Sequence, residues 1–198
     1  YPVIVKPVDG GGSRGISVCW NEEELKKAIL LALNYSKSKE FFVEKFIRND
    51  QGFGCRYIAN DGDIYLTATN DRYTVDTDGG KSMISGAALF PSKNIDRFIN
   101  DINPKMIEMF KEIGIKNGSF YLQALVDDDG QVYFHDMGLR LSGGLIYKMF
   151  ELTCGFSDLE MMIRYSVGGK FATDDEIRKI NPYFNGYYTG SLSIPLRE

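Results

Sequence analysis

SFYLQALVDDDGQVYFHDMGLRLSGG, residues Ser119 to Gly144, holds two apolar-polar alternating runs on either side of an acidic, glycine-closed turn. That pattern is a β-hairpin. Asp129-Gly130 is its best two-residue turn, because a type I′ turn needs positive φ and glycine supplies it. With that pair at the tip, Asp128 faces Gln131 and Gln123 comes opposite Asp136. Cross-strand partners project from the same face, and alternation adds Gly138 and Arg140 if the chain stays extended. His135 and Met137 then point away. Two readings of this face stay open. One is a solvated sheet surface with an Asp136–Arg140 salt bridge. The other is a site for Mg²⁺, which prefers hard oxygen ligands and keeps water and phosphate oxygens in its shell.

Upstream, Val3 to Val18 (VIVKPVDGGGSRGISV) ends a strand on Lys6 and Pro7, then runs through glycines to the next strand. A triphosphate needs positive charge and N–H donors that approach closely, and glycine allows both close approach and positive φ. An ordinary flexible hairpin with a surface lysine fits the same letters. A Walker loop does not, because the lysine precedes the glycines. The span from Gly10 to Gly15 is expected to rank among the most mobile parts of the chain.

Between these stretches lie further elements. Caps at Asn21, Ser157 and Thr173, each with a glutamate three residues on, open three helices. A helical run from about Ser92 to Ile113 breaks before Pro104. GCRYIANDGDIYLTATN reads as another hairpin around Asn60-Asp61-Gly62, and EFFVEKFI reads as a strand. The mixture lacks regular βα alternation, so the class is α+β. Of 198 residues, 43% are hydrophobic and 25% charged, with a net charge of −4, which gives no nucleic-acid footprint. Three scattered cysteines without metal spacing and no membrane-length apolar run suggest a cytoplasmic protein. His135 and Cys154 read as structural. The aromatic PYFNGYY is expected to pack against a lobe outside this chain. Strand-like segments at both ends suggest a fragment truncated at each.

In order and spacing, the Lys-Pro-glycine stretch, FFVEKFI and LQALVDDDGQVYFHDMGLRLSGG resemble the ATP-grasp superfamily. The likeness is greatest to carbamoyl-phosphate synthase large-subunit-like members, over roughly Tyr1 to Gly169. The resemblance implies two α+β lobes with antiparallel sheets gripping ATP between them: a smaller glycine-loop lobe over about residues 1–46 and a larger metal-binding lobe over about 47–198. An N-terminal pre-ATP-grasp domain would be missing. It implies an ATP-dependent carboxylate-amine, or carbamoyl-phosphate synthase-like, ligase domain that binds Mg²⁺ and ATP and forms an acyl phosphate. The partners would be a small carboxylate-type acceptor and a nucleophile, with no nucleic acid and no membrane; homodimer formation stays open.

Position by position, Lys6 matches the phosphate-reaching lysine, and Gly10, Gly11, Gly12, Ser13 and Gly15 match the phosphate loop. Glu44, Lys45, Phe46 and Ile47 match the adenine-holding segment. Arg72 matches a basic residue near the terminal phosphate. Gln123 and Asp136 match the metal-bearing positions, and Arg140, catalytic with Lys6, matches the arginine at the transferred phosphoryl group. The sequence departs from the family pattern twice. Glu-x-Asn-x-Arg becomes Asp136, Gly138 and Arg140, where water is expected in place of the asparagine and Gly138→Asn is expected to restore a ligand if the backbone there is extended and not at positive φ. The usual ribose acid is replaced by Gly54 or displaced to Asp50. These departures support an alternative, a nucleotide-binding regulatory or structural module with a degenerate metal site.

Overall fold

The computed structural model describes residues 1–11, 14–47, 51–76, 83–127 and 129–194. The chain is α+β with antiparallel sheets and divides into two compact units, Tyr1–Arg48 and Asn49–Glu198.

In the first unit β1 (Val3–Pro7) lies between β2 (Ser17–Cys19) and β3 (Phe41–Lys45), antiparallel to both. Helix α1 (Glu22–Tyr35) starts where expected, with Asn21 Oδ1 accepting from the Glu24 N–H at 2.9 Å. Ala28 and Ala32 pack against Val5 and Cys19 to form its small core.

The second unit is built on a six-stranded antiparallel sheet, ordered β8-β7-β4-β5-β6-β9. These are β4 (Gln51–Asn60), β5 (Asp63–Asp76), β6 (Met83–Phe90), β7 (Gly118–Val126), β8 (Val132–Gly138) and β9 (Thr189–Leu192). The β4–β5 hairpin turns at Asp61-Gly62 as read from sequence, with φ of 52° and 94°. The helical run before β7 is α2 (Ile95–Arg97), a π turn over Phe98–Ile102 and α3 (Asn103–Ile113), so regular helix resumes just before Pro104.

Each face of the sheet carries a core. Phe53, Cys55, Tyr57, Phe120, Leu122 and Ala124 pack with Phe98, Met106 and Phe110 of the α2–α3 stretch. On the other face Ile58, Ala68 and Phe90 pack with Phe150 of α4 (Ile146–Cys154) and Met161 of α5 (Asp158–Ser166). Phe184 is fully buried there, its ring 5.8 Å from Phe150 and 5.9 Å from Phe90. Phe184 therefore contributes to this chain's own core and not to an outside lobe, whereas Tyr183, Tyr187 and Tyr188 are exposed. Cys154 is buried in the same cluster.

Two irregularities set which side chains leave these cores. Arg56 pairs with Ala68 and Tyr57 with Leu66, which leaves Thr67 as a bulge in β5. Gln123 pairs with Asp136 and Ala124 with Phe134, which leaves His135 as a bulge in β8. The β7–β8 hairpin closes on Asp127 and Gln131, whose N–H···O distance is 3.0 Å, so it is Asp127 and not Asp128 that faces Gln131. The loop is one residue longer than the two-residue turn read from sequence, and Asp128 lies outside the described residues. The bulge cancels that extra residue, so Gln123 and Asp136 still meet.

Helix α6 (Asp174–Lys179) begins with a complete capping box, and Glu176 also takes a bidentate bond from Arg164 at 2.9 and 2.6 Å. Arg164, then the Thr173 N–H and hydroxyl, hold Glu176 down at about 2 from 4.5. A depressed carboxylate contributes its stability above the unfolded value and loses it as pH falls toward the folded one. Glu176→Gln should therefore lower stability by about 1–3 kcal/mol at neutral pH. Its deficit against wild type should shrink as pH falls from about 4.5 toward about 2, read from paired melting curves. A deficit that stays constant through that range would show that Glu176 does not carry the linkage.

Candidate functional site

In the second unit, the face that carries Ile58 in its core opens toward the other end of the sheet. Moving back along β4, alternate positions are Ile58, Arg56, Gly54 and Gly52. The two glycines are enforced by neighbours. A Cβ on Gly54 would stand 2.4 Å from Asn70 Oδ1, and one on Gly52 2.9 Å from Arg72 Nε. Removing side chains from the central strand makes room for those of β5 and β7. Gly54 lies between Asn70 on one side and Gln123 on the other, so a ribose-gripping acid has no space at 54. Asp50 lies outside the described residues.

Arg72, Gln123 and Asp136 come together on this face as expected. Arg72 Nη1 donates to Gln123 Oε1, and Arg72 Nε is buried without a partner among the described residues. Burial lowers the Arg72 pKa and the Asp136 carboxylate opposes that shift. Asp136 itself is exposed. Gly138 pairs with Tyr121 across the ladder, and its φ is not positive. The space beside it is not left to water. A Cβ there would be 2.6 Å from Tyr121 Cε1, so the Tyr121 ring fills the gap left by the missing asparagine.

Arg140 lies beyond the end of β8 and still reaches the same place. Its guanidinium sits 4.9 Å from the Tyr121 ring centroid, and Nη2 donates to the phenol oxygen at 2.6 Å. Nη1 donates to the Leu141 carbonyl at 2.9 Å. The Asp136–Arg140 salt bridge allowed by the sequence is absent among the described residues.

A cavity of about 370 Å³ lies over this face, bordered by Arg56, Arg72, Tyr121, Gln123, Arg140 and the Ser142–Gly144 turn. Among the described residues no Asp, Glu or His lines it. Arg56 is the residue sequence reading missed. Its Nε donates to Ser142 Oγ at 3.0 Å and its Nη1 to Asn70 Oδ1 at 2.6 Å, over the Phe90 ring. Burial pulls its pKa down to about 10. Asn70 and Tyr121 were missed too, because their facing depends on pairing and bulges that side-chain alternation alone does not give.

In the first unit, Lys6 Nζ meets Glu44 Oε2 at 2.5 Å, so the expected phosphate lysine and one residue of the expected adenine segment form an ion pair. Lys45 ends β3, the Phe46 N–H donates to the Pro2 carbonyl at 3.3 Å, and Ile47 follows. The Phe46 ring lies edge-on to Trp20 at 6.3 Å. Gly15 takes φ +76°, and a Cβ there would also press on Tyr35 at 2.8 Å, so this glycine has a structural reason of its own. Gly10 and Gly11 are described, with open space at Gly11, whereas Gly12 and Ser13 fall outside the described residues.

The family model of the carbamoyl-phosphate synthase L chain, ATP binding domain, matches residues 1–172. The 2-oxoglutarate carboxylase small subunit of Hydrogenobacter thermophilus is 26% identical over 202 residues, covering 94% of this chain and 38% of that protein. The L-amino acid ligase of Bacillus licheniformis superposes with a TM-score of 0.74 at 19% identity, over 100% of this chain and 46% of that one. The biotin carboxylase domain of H. thermophilus 2-oxoglutarate carboxylase, solved with MgADP, ADP and bicarbonate, gives 0.70 at 20% identity, over 92% and 44%. This chain thus spans less than half of each, and at these identities the structural likeness shows a shared fold. Among the described residues no helix is long and apolar enough to cross a membrane.

Proposed function

We propose, since the chain belongs to the family of the carbamoyl-phosphate synthase L chain, ATP binding domain, that it is the nucleotide-binding part of an ATP-grasp carboxylate ligase. The observation that carries this reading is the face on which Gln123, Arg72 and Arg140 border one cavity, with Asp136 paired beside Gln123. The MgADP bound to the H. thermophilus relative supports the same nucleotide and metal.

The residues fit Mg²⁺ in a limited way. One exposed carboxylate and one amide oxygen leave most of an octahedron to water and phosphate, as Mg²⁺ prefers. No cluster of three or more His, Cys, Asp or Glu gathers among the described residues, so these offer no all-protein cage. Asp136 and Gln123 would hold the ion, which when bound neutralises phosphate oxygens.

The chain's own residues act by charge and position. Lys6 and the Gly10–Gly15 loop bind phosphate oxygens, and Glu44 to Ile47 hold the base. Arg72 and Arg140 take up negative charge on the transferred phosphoryl group. A carboxylate acceptor is already ionised, so its oxygen attacks the γ-phosphorus without a general base and ADP leaves, which agrees with a cavity lined by no Asp, Glu or His among the described residues. An amine-type nucleophile then attacks the acyl carbon, inorganic phosphate leaves, and the proton lost by the amine passes to solvent. The reading is tested by ADP release from Mg·ATP by the full-length protein with mixed carboxylic and amino acids. Within that test, Lys6→Ala should weaken ATP binding ~10- to 100-fold and adenosine binding hardly at all. Equal weakening of both ligands would remove Lys6 from the phosphates.

A second reading, a nucleotide-binding module without turnover, is favoured by Gly54 and Gly138, where Asn70 and Tyr121 occupy the space of the usual polar side chains. Mg·ATP binding without acid-dependent ADP release would select it.

A further inference from the structure

We infer that Arg56 anchors a second anion subsite, so that the acceptor carries an acidic group in addition to the carboxylate that is phosphorylated. The inference rests on the ligase reading above.

Gly52 and Gly54 leave the β4 face bare, and Arg56 is the next side chain inward, facing Tyr121 across the ladder. It is held rigidly from two sides, by Ser142 Oγ at 3.0 Å and Asn70 Oδ1 at 2.6 Å, with its plane over the Phe90 ring. Both acceptors are neutral. A guanidinium has five N–H donors. The hydrogen bonds of Arg56 among the described residues use Nε and Nη1, and Arg56 borders the cavity.

The other two arginines on the cavity are held in the same manner: Arg72 by the Gln123 amide, Arg140 by the Tyr121 phenol and the Leu141 carbonyl. Two carboxylates act on these arginines from outside the lining. Asp136 acts on Arg72. Buried Asp158 acts on Arg56, while its Oδ2 accepts from Ser119 at 3.0 Å and its Oδ1 is unpartnered among the described residues. Asp136 is assigned above to the metal, and Asp158 makes no ion pair with Arg56 among the described residues. Among the described residues the cavity thus keeps more positive charge than a single carboxylate answers.

Position separates Arg56 from the phosphate end. Gly54 pairs with Gln123, and Arg56 is two residues further along β4 toward the apolar core at Ile58, about 7 Å from the metal row. Arg140 packs on Tyr121, the cross-strand neighbour of Arg56, so a short dicarboxylate can set one group at Arg140 and the other at Arg56. Ser142, Ser191 and Ser193 border the same cavity and offer hydroxyls to such a ligand.

The test uses the full-length protein with Mg·ADP and acids in matched pairs: propionate with succinate, butyrate with glutarate, L-alanine with L-aspartate, L-2-aminobutyrate with L-glutamate. In at least one pair the diacid should bind ~10-fold or more tightly than its partner by calorimetry. Arg56→Met should abolish that preference and leave Mg·ADP affinity unchanged. Should Arg56→Met fail to fold, Arg56→Lys decides, because it keeps the charge without the fork and should cut the preference at least ~3-fold. Equal affinities in every pair, no binding of any acid, a preference untouched in these variants, or loss of Mg·ADP affinity in Arg56→Met would overturn the subsite. Mg·ADP binding by the unaltered protein judges the parent reading separately. Without it the ligase reading fails, whereas nucleotide binding with no diacid preference removes only this inference.

Discussion

Asp136→Asn in the full-length protein is expected to raise the Mg²⁺ concentration needed for ATP binding by ~10- to 100-fold. The side chain keeps its shape and loses its charge. Asp136 is exposed and opposite Gln123, so no packing goes with it. The melting temperature should hardly move, in line with surface substitutions that stay within about 0.5 kcal/mol. Asp136 also supports the charge on half-buried Arg72. The contrast with Arg72 substitutions is therefore informative: loss of Asp136 should act through Mg²⁺, and loss of Arg72 should persist at saturating Mg²⁺. ATP titrations at several fixed Mg²⁺ concentrations separate the two. An unchanged Mg²⁺ dependence in Asp136→Asn would favour the non-catalytic module.

Gly138→Asn is expected to destabilise the larger unit by about 1–3 kcal/mol and to gain no Mg²⁺ affinity. The family pattern alone suggests the opposite, a restored oxygen ligand. The obstacle is Tyr121, whose Cε1 stands 2.6 Å from the position of the new Cβ and whose ring supports Arg140. Pairing the change with Tyr121→Ala should relieve the clash and let the asparagine contribute to Mg²⁺, while turnover falls because Arg140 has lost its phenol. Such a pair is strongly non-additive in stability. Denaturant melts of the two single variants and the double variant measure the coupling. A stable single variant with tightened Mg²⁺ would show that the ring yields freely.

Much of the scaffold was legible because the signals were local. The caps at Asn21, Ser157 and Thr173 all formed, and Asp61-Gly62 made its turn. The Gln123–Asp136 pairing was legible for a partly fortuitous reason: the loop is a residue longer than read and the bulge at His135 restores the count. Arg56 and Tyr121 were not legible. Both stand in apolar-rich strands where alternation does not show which sheet face will be covered by helices. Phe184 was misjudged because its partners, Phe90 and Phe150, are remote in sequence.

The bulges at Thr67 and His135 amount to phase shifts in the chain's alternation. Leu66 and Ala68 have the same parity, yet one packs under α3 and the other under α4. Phe134 and Asp136 also share parity; one packs against the core beside α3, and the other stands with Gln123 on the opposite face. An unbroken strand of this composition would have to choose between burying a carboxylate and exposing a phenylalanine. One extra residue per strand removes that conflict and lets a single strand address an oily face and an ionic one in turn. Removal of His135 alone would invert the strand beyond it. The identity of the side chain at 135 matters less to this arrangement than the presence of a residue there.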